Sequence, residues 1–398
     1  MFETATEIPG RSAPHPALRV AVVTETYPPE INGVAMTLGR MVEAFLRRGH
    51  HVQLIRPRQH AADVAASGER FEEILASGLP IPRYDGLRAG LPAYRRLLRA
   101  WRADRPDVVD VATEGPLGWS AVSAARRLRI PVVSEFHTNF QSYSRHYGIG
   151  WLRQPVEIYL RMFHNRTRVT MVPTREMRDA LLAVGHRHVD VVARGVDTRM
   201  FDPAHRDPDL RASWGVVGDA PVVIHVGRLA PEKNLGVVFD AFRAIQSVRP
   251  QARLVLVGDG PERAALQRRH PDAVFAGMRT GHDLARHYAS GDIFLFASVT
   301  ETFGNVTLEA LASGLAVVAY DYAAAREHIR HGESGLLAPF DDSAAFVGLA
   351  QSLAADPARI AALRGQARRT ASAIDWEQVF VALERILLRS VGRDGNAC

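Results

Sequence analysis

Short apolar runs alternate with amphipathic segments along most of the chain. Residues 19–24 predict a strand, residues 34–48 have helical spacing that ends at Gly49, and residues 51–55 form a second apolar run. A strand, a helix and a strand in this order form a unit of parallel sheet. Ligand-binding groups in such sheets lie at the carboxyl ends of the strands. The start of the chain therefore predicts an α/β fold with a doubly wound sheet.

The alternation continues in two series, separated by residues 201–220, which lack periodicity and predict a linker. The first series has further strands at 107–112, 131–136, 169–172 and 189–192, with helices at 116–128, 151–164 and 175–184. The second has strands at 221–226, 253–257, 273–275, 293–297 and 315–319, and ends with helices at 343–354, 357–371 and 376–390. Two consecutive doubly wound units predict two domains with a cleft between them.

The composition is that of a soluble globular protein. The 398 residues are 47% apolar and 23% charged, which is ordinary for a chain of two domains. No apolar run approaches the roughly 20 residues that a membrane-spanning helix needs. Residues 1–17 lack the apolar segment of a signal peptide. The single cysteine, Cys398, excludes an intrachain disulfide and a cysteine-based metal site, so we expect a cytoplasmic protein.

Charge is distributed unevenly along the chain. Residues 1–200 carry 28 arginines and 20 acidic residues, whereas the rest carries 21 basic and 23 acidic residues. A basic N-terminal half suggests an anionic partner there, such as a lipid surface, a phosphorylated acceptor or nucleic acid. Of the 49 basic residues only one is lysine, Lys233, which makes its position worth examining.

The stretch from Glu301 to Glu309 follows the apolar run 293–297 and leads into a segment with helical spacing. Unpaired N–H groups at a helix N-terminus bind phosphate, and Gly304 would allow a ligand close to the backbone. The two carboxylates could accept hydrogen bonds from paired hydroxyls. The alternative is an ordinary strand, loop and helix with two solvated glutamates.

Two cations follow the first strand of the second series. Arg228 comes just after the strand at 221–226, and Lys233 lies at the start of the next helix. Arginine offers a fork of donors and lysine a compact charge, so together they could neutralise a diphosphate leaving group without a metal. An ordinary surface pair is the alternative.

His137 and Gly33 follow two further predicted strands. His137 could hydrogen-bond a sugar hydroxyl or assist proton movement, although a satisfied core histidine would explain the same position. Gly33 ends the first loop between a strand and a helix, where the backbone approaches a ligand or turns tightly. Gly258 and Gly260 predict a turn, since the third glycine of a dinucleotide fingerprint is missing.

No metal site is expected. Asp207 and Asp209 have the spacing of a metal clamp, but Pro208 between them suits a turn in the linker. No pair of histidines has the spacing of a metal-binding helix with a suitable carboxylate nearby.

A basic amphipathic segment runs from Leu87 to Arg105. Its apolar residues have helical spacing, and six arginines lie among them. Such a helix can lie on an anionic membrane. A surface helix that packs its apolar stripe onto its own domain has the same pattern.

With these motifs placed, the chain resembles the large family of retaining glycosyltransferases with the GT-B architecture, the family-4 type. That family contains bacterial phosphatidylinositol mannosyltransferases, sulfoquinovosyl transferases and sucrose synthases. The resemblance is carried by Asn32-Gly33-Val34, Phe136-His137-Thr138, Arg194-Gly195-Val196-Asp197, Gly227-Arg228 with Lys233, Gly258-Asp259-Gly260, and Glu301 to Glu309. It implies two Rossmann-like domains facing a central cleft: an acceptor-side domain of residues 1–200, completed by 376–398 crossing back, and a nucleotide-sugar-binding domain of 201–375.

The resemblance also implies roles for single residues. Glu309 would hold the ribose hydroxyls of a nucleotide, and Glu301 would face the transferred sugar. The remaining residues would contact the donor: Arg228 and Lys233 at the diphosphate, Phe303, Gly304 and Asn305 through their backbone, Met278 at the nucleotide, Gly33 from the N-terminal domain, and His137 near the sugar. Many relatives carry an apolar residue at the position of Asn305, which leaves its side-chain role open.

The expected function is transfer of a hexose, with mannose from GDP-mannose favoured, to a lipid-linked or glycolipid acceptor. The loop from Glu25 to Gly33 and the segment from Phe136 to Phe140 resemble the lipid mannosyltransferase branch most. A UDP-sugar-dependent glucosyl or sulfoquinovosyl transferase and a nucleotide-sugar 2-epimerase are alternatives. We expect no cofactor besides the nucleotide-sugar donor, no nucleic-acid partner, and peripheral contact with the inner face of the cytoplasmic membrane.

Overall fold

The computed structural model describes residues 17–30, 32–80, 88–137 and 153–392. Several sequence predictions fall outside these residues: those for the N-terminal segment, Leu87, the polar residues from Thr138 to Phe140, Trp151 and Cys398. No helix in the described ranges is both long and apolar enough to cross a membrane.

The described chain divides into two compact units. The first contains the described residues up to Glu135, Arg166–Arg168 and the described residues from Leu387 onward. The second contains the described residues between 136 and 165 and all of Val169–Ile386. The predicted domains, 1–200 with 376–398 and 201–375, are defined by the ligand that each would bind and not by packing. Their limits therefore stay a prediction.

The first unit is built on a mostly parallel sheet in the order β8-β7-β1-β2-β4-β3. Its strands are β1 (Arg19–Val23), β2 (His51–Pro57), β3 (Ser67–Gly68), β4 (Phe71–Ala76), β5 (Gly78–Pro80), β6 (Arg88–Gly90), β7 (Val108–Val111) and β8 (Val132–Glu135). Only β3 runs antiparallel to its neighbour within this sheet, and β5 and β6 form a separate antiparallel pair. Its helices are α1 (Gly33–Arg47), α2 (Tyr94–Ala103) and α3 (Pro116–Leu128).

Helix α1 shows how the sequence sets the limits of a helix in this unit. The Asn32 side chain accepts hydrogen bonds from the N–H groups of Val34 and Ala35, at 3.1 and 2.9 Å, and so begins the helix. Gly49, with φ of +88°, follows the last turn. The predicted limits of 34–48 are therefore correct to within one residue.

The prediction of one long basic helix from Leu87 to Arg105 is wrong in its limits. Arg88–Gly90 form strand β6, and only Tyr94–Ala103 form helix α2. Gly90 pairs with Gly78 of β5, and Pro92 disfavours helical backbone in the residue before it. A local strand pair thus takes the residues that the periodicity alone assigned to the helix.

The second unit contains a parallel six-stranded sheet in the order β13-β12-β11-β14-β15-β16 and a parallel pair, β9 and β10. The strands are β9 (Val169–Val172), β10 (Val189–Val191), β11 (Val222–Val226), β12 (Arg253–Val257), β13 (Val274–Gly277), β14 (Ile293–Phe296), β15 (Ala316–Tyr320) and β16 (Leu336–Ala338). The helices are α4 (Arg153–His164), α5 (Arg175–Ala183), α6 (Pro208–Ser213), α7 (Leu235–Val248), α8 (Arg263–Arg269), α9 (Gly281–Ala289), α10 (Asn305–Ala312), α11 (Ala323–His328), α12 (Ser343–Ala354), α13 (Pro357–Ser372) and α14 (Trp376–Val391), the last ending in the first unit.

Both faces of the six-stranded sheet are buried. Val223 of β11 faces one apolar cluster, which includes residues of α7 and α12, whereas Val222 and Ile224 face a second cluster with residues of α9 and α10. Strands covered on both faces are apolar throughout, which is why their runs stand out in the sequence. The prediction of a doubly wound α/β fold is confirmed.

Residues 201–220 are not the plain linker that their lack of periodicity suggested. They contain a single helical turn, Pro203–His205, and helix α6. Asp207 caps α6 by accepting hydrogen bonds from the N–H groups of Asp209 and Leu210, so the Asp-Pro-Asp sequence begins a helix. Arg206 and Arg211 then bind the Asp292 carboxylate at 2.7 and 2.9 Å and fix the segment to the sheet.

Candidate active site

The order of the six strands determines where a ligand can bind. From β11 the chain runs outward to β12 and β13 on one side, and from β14 to β15 and β16 on the other. The strand order therefore changes direction between β11 and β14, which are hydrogen-bonded neighbours. Sheets of this kind bind ligands at such a switch point, outside the carboxyl ends of the strands. Arg228 and Lys233 follow β11, and Glu301 to Glu309 follow β14.

Lys233 and Glu301 meet at this switch point. The Lys233 ammonium donates to Oε1 of Glu301 at 2.5 Å, and the two side chains are 18% and 14% exposed. Burial acts to raise the pKa of the Glu301 carboxyl, but the Lys233 charge and hydrogen bonds from Lys233 and Ser298 outweigh it and lower that pKa. Glu301 is therefore ionised at neutral pH. The sequence analysis assigned both residues to the site but did not predict that they pair directly.

Arg228 is the more accessible cation of the site. Its side chain is 39% exposed, and its Nη1 lies 3.7 Å from Oε1 of Glu232, which is almost fully buried. The buried Glu232 carboxylate thus holds the exposed Arg228 guanidinium near the end of β11. The sequence analysis missed Glu232, although its spacing of four residues from Arg228 is typical of ion pairs.

Two glycines bring a second loop against the loop that carries Arg228. A Cβ on Gly258 would lie 1.9 Å from the Gly227 carbonyl oxygen, and one on Gly260 would lie 2.3 Å from that of Leu229. The Leu229 N–H also donates to the Asp259 carbonyl at 2.9 Å. The glycine-rich turn after β12 therefore packs directly against the loop that carries Arg228.

Helix α10 begins at Asn305, directly after Gly304. Gly304 has φ of +90°, a backbone conformation that favours glycine, and its added Cβ would meet only ordinary contacts at 3.5 Å. Phe303 is 5% exposed and packs edge-on against His328, while its carbonyl accepts from the Ala324 N–H at 2.8 Å. The predicted turn into a helix N-terminus is present, with Asn305 half-buried at its first position.

Glu309 lies one turn inside α10 and has a fixed orientation. The Tyr288 hydroxyl, from α9, donates to Oε2 of Glu309 at 2.9 Å. Burial and the adjacent Glu309 charge raise the pKa of Tyr288 well above its usual range, so the hydroxyl keeps its proton. No motif in the sequence points to Tyr288, because its distance from Glu309 depends on the packing of two helices.

His137 is attached to the segment that contains Glu301. Its backbone carbonyl accepts from the Thr302 hydroxyl at 2.7 Å, and its ring Nδ1 lies 3.0 Å from Nη2 of Arg194. The Tyr322 hydroxyl donates to the Glu301 carbonyl at 2.7 Å and holds the same loop from the other side. His137 therefore lies beside the loop that the sequence analysis singled out.

Gly33 and Met278 are not brought to this cluster by any described contact. Gly33 is the exposed first residue of α1 in the first unit. Met278 directly follows β13 and is 54% exposed. Their roles in donor binding stay predictions.

A buried histidine lies behind the ion pair and was missed by the sequence analysis. His225 of β11 is fully buried, and its Nδ1–H donates to the Leu295 carbonyl at 3.0 Å. Burial lowers the pKa of His225 to about 4, so the ring is neutral. The Phe296 ring stacks on the His225 ring, and the centre of the Phe296 ring lies 5.9 Å from the Lys233 nitrogen. Strands β11 and β14 thus place neutral, buried side chains behind the Lys233–Glu301 ion pair.

Two family models match the chain. Residues 31–200 match Glycosyltransferase Family 4, and residues 220–356 match Glycosyl transferases group 1. A GDP-mannose-dependent alpha-mannosyltransferase of Mycobacterium tuberculosis is 37% identical over 330 residues, 81% of this chain and 84% of that protein. A GDP-mannose-dependent alpha-(1-6)-phosphatidylinositol dimannoside mannosyltransferase of the same species is 29% identical over 92% of this chain and 95% of that one.

The solved structures agree on the fold. Sucrose-phosphate synthase from Thermosynechococcus elongatus matches with a TM-score of 0.75 over 94% of this chain and 98% of its own, at 20% identity. Together with the family models and the mycobacterial relative, this confirms the resemblance inferred from the motifs. The chain belongs to glycosyltransferase family 4 and has the two Rossmann-like α/β domains of the GT-B fold.

Proposed function

We propose that the protein transfers mannose from GDP-mannose to a lipid-linked or glycolipid acceptor. The observation that carries the transferase chemistry is the Lys233–Glu301 pair at the switch point, with Glu309 oriented by Tyr288 in the helix that follows. The choice of donor is supported by three relatives named GDP-mannose-dependent alpha-mannosyltransferases, which are 34 to 37% identical. The choice of acceptor is supported by the relative that is named as a phosphatidylinositol dimannoside mannosyltransferase.

In this proposal the donor diphosphate binds beside Arg228, Lys233 and the start of α10. Arg228 supplies a fork of donors, Lys233 supplies a point charge, and the first N–H groups of α10 point toward the phosphate. Glu309 accepts hydrogen bonds from the ribose hydroxyls. We expect that no divalent cation is required, because Arg228, Lys233 and the N–H groups of α10 together supply hydrogen-bond donors to the leaving diphosphate. Turnover in excess EDTA is then expected to equal turnover without it.

The same arrangement favours a transfer without a covalent enzyme intermediate. Glu301 is ion-paired with Lys233, which makes it a poor nucleophile. We infer that the anomeric C–O bond to the diphosphate breaks while the acceptor oxygen bonds to the anomeric carbon from the same face. The acceptor hydroxyl proton passes to the leaving diphosphate oxygen. Arg228 and Lys233 stabilise the charge that develops on the leaving group.

Helix α2 supports contact with an anionic membrane through its charge. Leu97 and Trp101 are buried, and α2 packs against α3, so its apolar stripe faces its own unit as the alternative interpretation predicted. Four arginines of α2 remain exposed: Arg95, Arg96, Arg99 and Arg102. We propose that this basic face brings a cytoplasmic protein to the inner surface of the membrane, where a lipid acceptor is available.

A donor panel tests the proposal. A ligand that binds only the folded protein raises its thermal midpoint, so GDP-mannose and GDP are expected to raise it more than UDP-glucose and UDP. Preference for the UDP series would refute the mannose assignment and leave the transferase assignment standing. Conversion of GDP-mannose to an epimer without any acceptor would favour an epimerase instead.

A further inference from the structure

The contact between Arg194 and His137 fixes the hydrogen on one ring nitrogen. Arg194 follows β10, is 7% exposed, and places Nη2 at 3.0 Å from Nδ1 of His137. A guanidinium has five N–H donors and no acceptor. Nδ1 must therefore accept, and an accepting Nδ1 carries no hydrogen. The ring is then the neutral form with its hydrogen on Nε2.

The position of this ring is fixed as well as its hydrogen. The His137 carbonyl accepts from Thr302, the residue next to Glu301. One hydrogen bond thus holds the backbone of His137 beside the sugar-facing loop, and a second holds its ring. Two such bonds define both the location and the donor atom of the imidazole.

We propose that Arg194 is a positioning residue that makes His137 a hydrogen-bond donor to the bound sugar, and not a base. Neither ring nitrogen can take the acceptor proton, since Nε2 already carries a hydrogen and Nδ1 is bound to Arg194. The acceptor proton must therefore go to another group, and in the proposed function that group is the leaving diphosphate. This inference rests on the proposed function for its ligand, but its statement about the ring does not.

The ring can be examined without any substrate. Long-range 1H–15N correlation of the free full-length protein, with His137→Gln to assign the signal, reports which nitrogen carries the hydrogen. We expect Nε2–H in the wild type and a share of Nδ1–H in Arg194→Met. An Nδ1–H ring in the wild type, or an unchanged pattern in Arg194→Met, would overturn the inference whatever the donor sugar proves to be.

Turnover measurements distinguish a hydrogen-bond donor from a general base at His137. The glutamine amide of His137→Gln can still donate near the position of Nε2, but it cannot take a proton. We expect His137→Ala to lose about 2- to 10-fold in kcat, the range for one hydrogen bond to a neutral hydroxyl, and His137→Gln to recover most of that loss. Equal losses in the two variants would show that His137 acts as a base.

Arg194→Lys is the matched test of the positioning residue. Lysine keeps a charged donor, so it is expected to restore part of the turnover that Arg194→Met loses, while GDP binding stays unchanged in both. If Arg194→Met does not fold, Arg194→Lys still tests the inference. Its His137 ring should carry the hydrogen on Nε2, as in the wild type. Activity with a UDP sugar alone would refute the proposed donor and leave this inference intact.

Discussion

Glu301 and Glu309 have different partners, and this separates their roles. Glu301 is ion-paired with Lys233 at 2.5 Å, next to the place that we propose for the leaving group. Glu309 accepts a hydrogen bond from the Tyr288 hydroxyl, which keeps its proton. These contacts support our proposal that Glu301 belongs to the reacting centre and that Glu309 binds the paired hydroxyls of the ribose.

Glu309→Ala should weaken the binding of GDP by about 10- to 100-fold, because hydrogen bonds to a charged group are lost. Glu301→Ala should lower kcat and change the affinity for GDP little. Isothermal titration with GDP and steady-state turnover measure the two effects. Tyr288→Phe is the control, since it removes only the group that orients Glu309 and should weaken GDP binding less. Equal loss of GDP affinity in both glutamate variants would contradict this division.

Glu25, two residues after the end of β1 in the first unit, is a half-buried carboxylate. Its Oε1 accepts from the Leu117 N–H at 3.3 Å, at the start of α3. Burial raises the pKa of Glu25 to about 7, against hydrogen bonds from the backbone of Leu117 and Gly90. The folded protein therefore holds a proton on Glu25 at pH values where the unfolded chain has lost it.

Because the folded-state pKa of Glu25 is raised, its contribution to stability is present below about pH 4.5 and is lost as the pH rises through about 7. Glu25→Gln removes this titration. The variant should gain stability relative to the wild type between pH 4.5 and pH 8, by on the order of 3 kcal/mol. Urea unfolding at a series of pH values measures the difference. A stability difference that does not change with pH would show that Glu25 ionises normally in the folded state.

The residues of the site could be predicted from the sequence where strand topology places them. Lys233, Arg228, Glu301 and Glu309 follow strands whose carboxyl ends meet, so their proximity was expected. The partners that orient them were not. Tyr288 reaches Glu309 only through helix packing, and the ring orientation of His137 depends on Arg194, which is 57 residues away in sequence.

Among the elements, the turns after β11 and β12 depend on each other. Gly258 has φ of +133°, and a Cβ there would overlap the Gly227 carbonyl oxygen. The position of Arg228 at the end of β11 therefore requires a glycine in the neighbouring turn. The sequence analysis predicted this turn correctly but not its contact with the Arg228 loop, since a close approach between loops leaves no periodic signal.

Gly258→Ala should destabilise the protein by on the order of 3 kcal/mol or more, because both the backbone conformation and the overlap oppose it. It should also lower turnover by displacing Arg228. Gly236→Ala is the matched control: Gly236 lies in α7 with nothing near its added Cβ, so alanine should be neutral or stabilising by at most about 1 kcal/mol. Urea unfolding of the two variants gives the comparison. Similar stabilities would refute the role of Gly258.

Helix α2 is the element that we expect to contact lipid. Arg95→Ala with Arg96→Ala should weaken binding to vesicles containing anionic lipid by about 30-fold, at about 1 kcal/mol for each charge. Arg268→Ala with Arg269→Ala, an exposed pair on α8, is the control and should bind as the wild type does. Co-sedimentation with vesicles at two salt concentrations measures both. Equal binding by the two double variants would show that α2 is an ordinary surface helix.

The helices and strands that are most deeply buried were predicted most accurately. Strands covered on both faces, such as β11 and β14, are continuous apolar runs and were placed within one or two residues. The short strands from β3 to β6, together with β16 and α6, were missed. Most are too short to show a period, and β6 was hidden within the periodicity assigned to the basic helix.

At the scale of the whole molecule, charge and family membership point to the same partners. The basic N-terminal half favours an anionic surface, and Arg228 and Lys233 of the second unit lie where we propose that a diphosphate leaves. Relatives named for GDP-mannose and for a phosphatidylinositol dimannoside span most of the chain. The central claim is therefore transfer of mannose to lipid by the site that contains Lys233 and Glu301.

Product analysis tests this claim most directly. The full-length protein would be incubated in EDTA with labelled GDP-mannose or UDP-glucose and with vesicles containing phosphatidylinositol dimannoside or monoglucosyldiacylglycerol. We predict an α-linked mannosyl lipid and released GDP from GDP-mannose only, with turnover at least 100-fold lower in Lys233→Ala, the scale for losing one group that stabilises transition-state charge. Glucosyl lipid from UDP-glucose with no mannosyl product, or unchanged turnover in Lys233→Ala, would contradict the account.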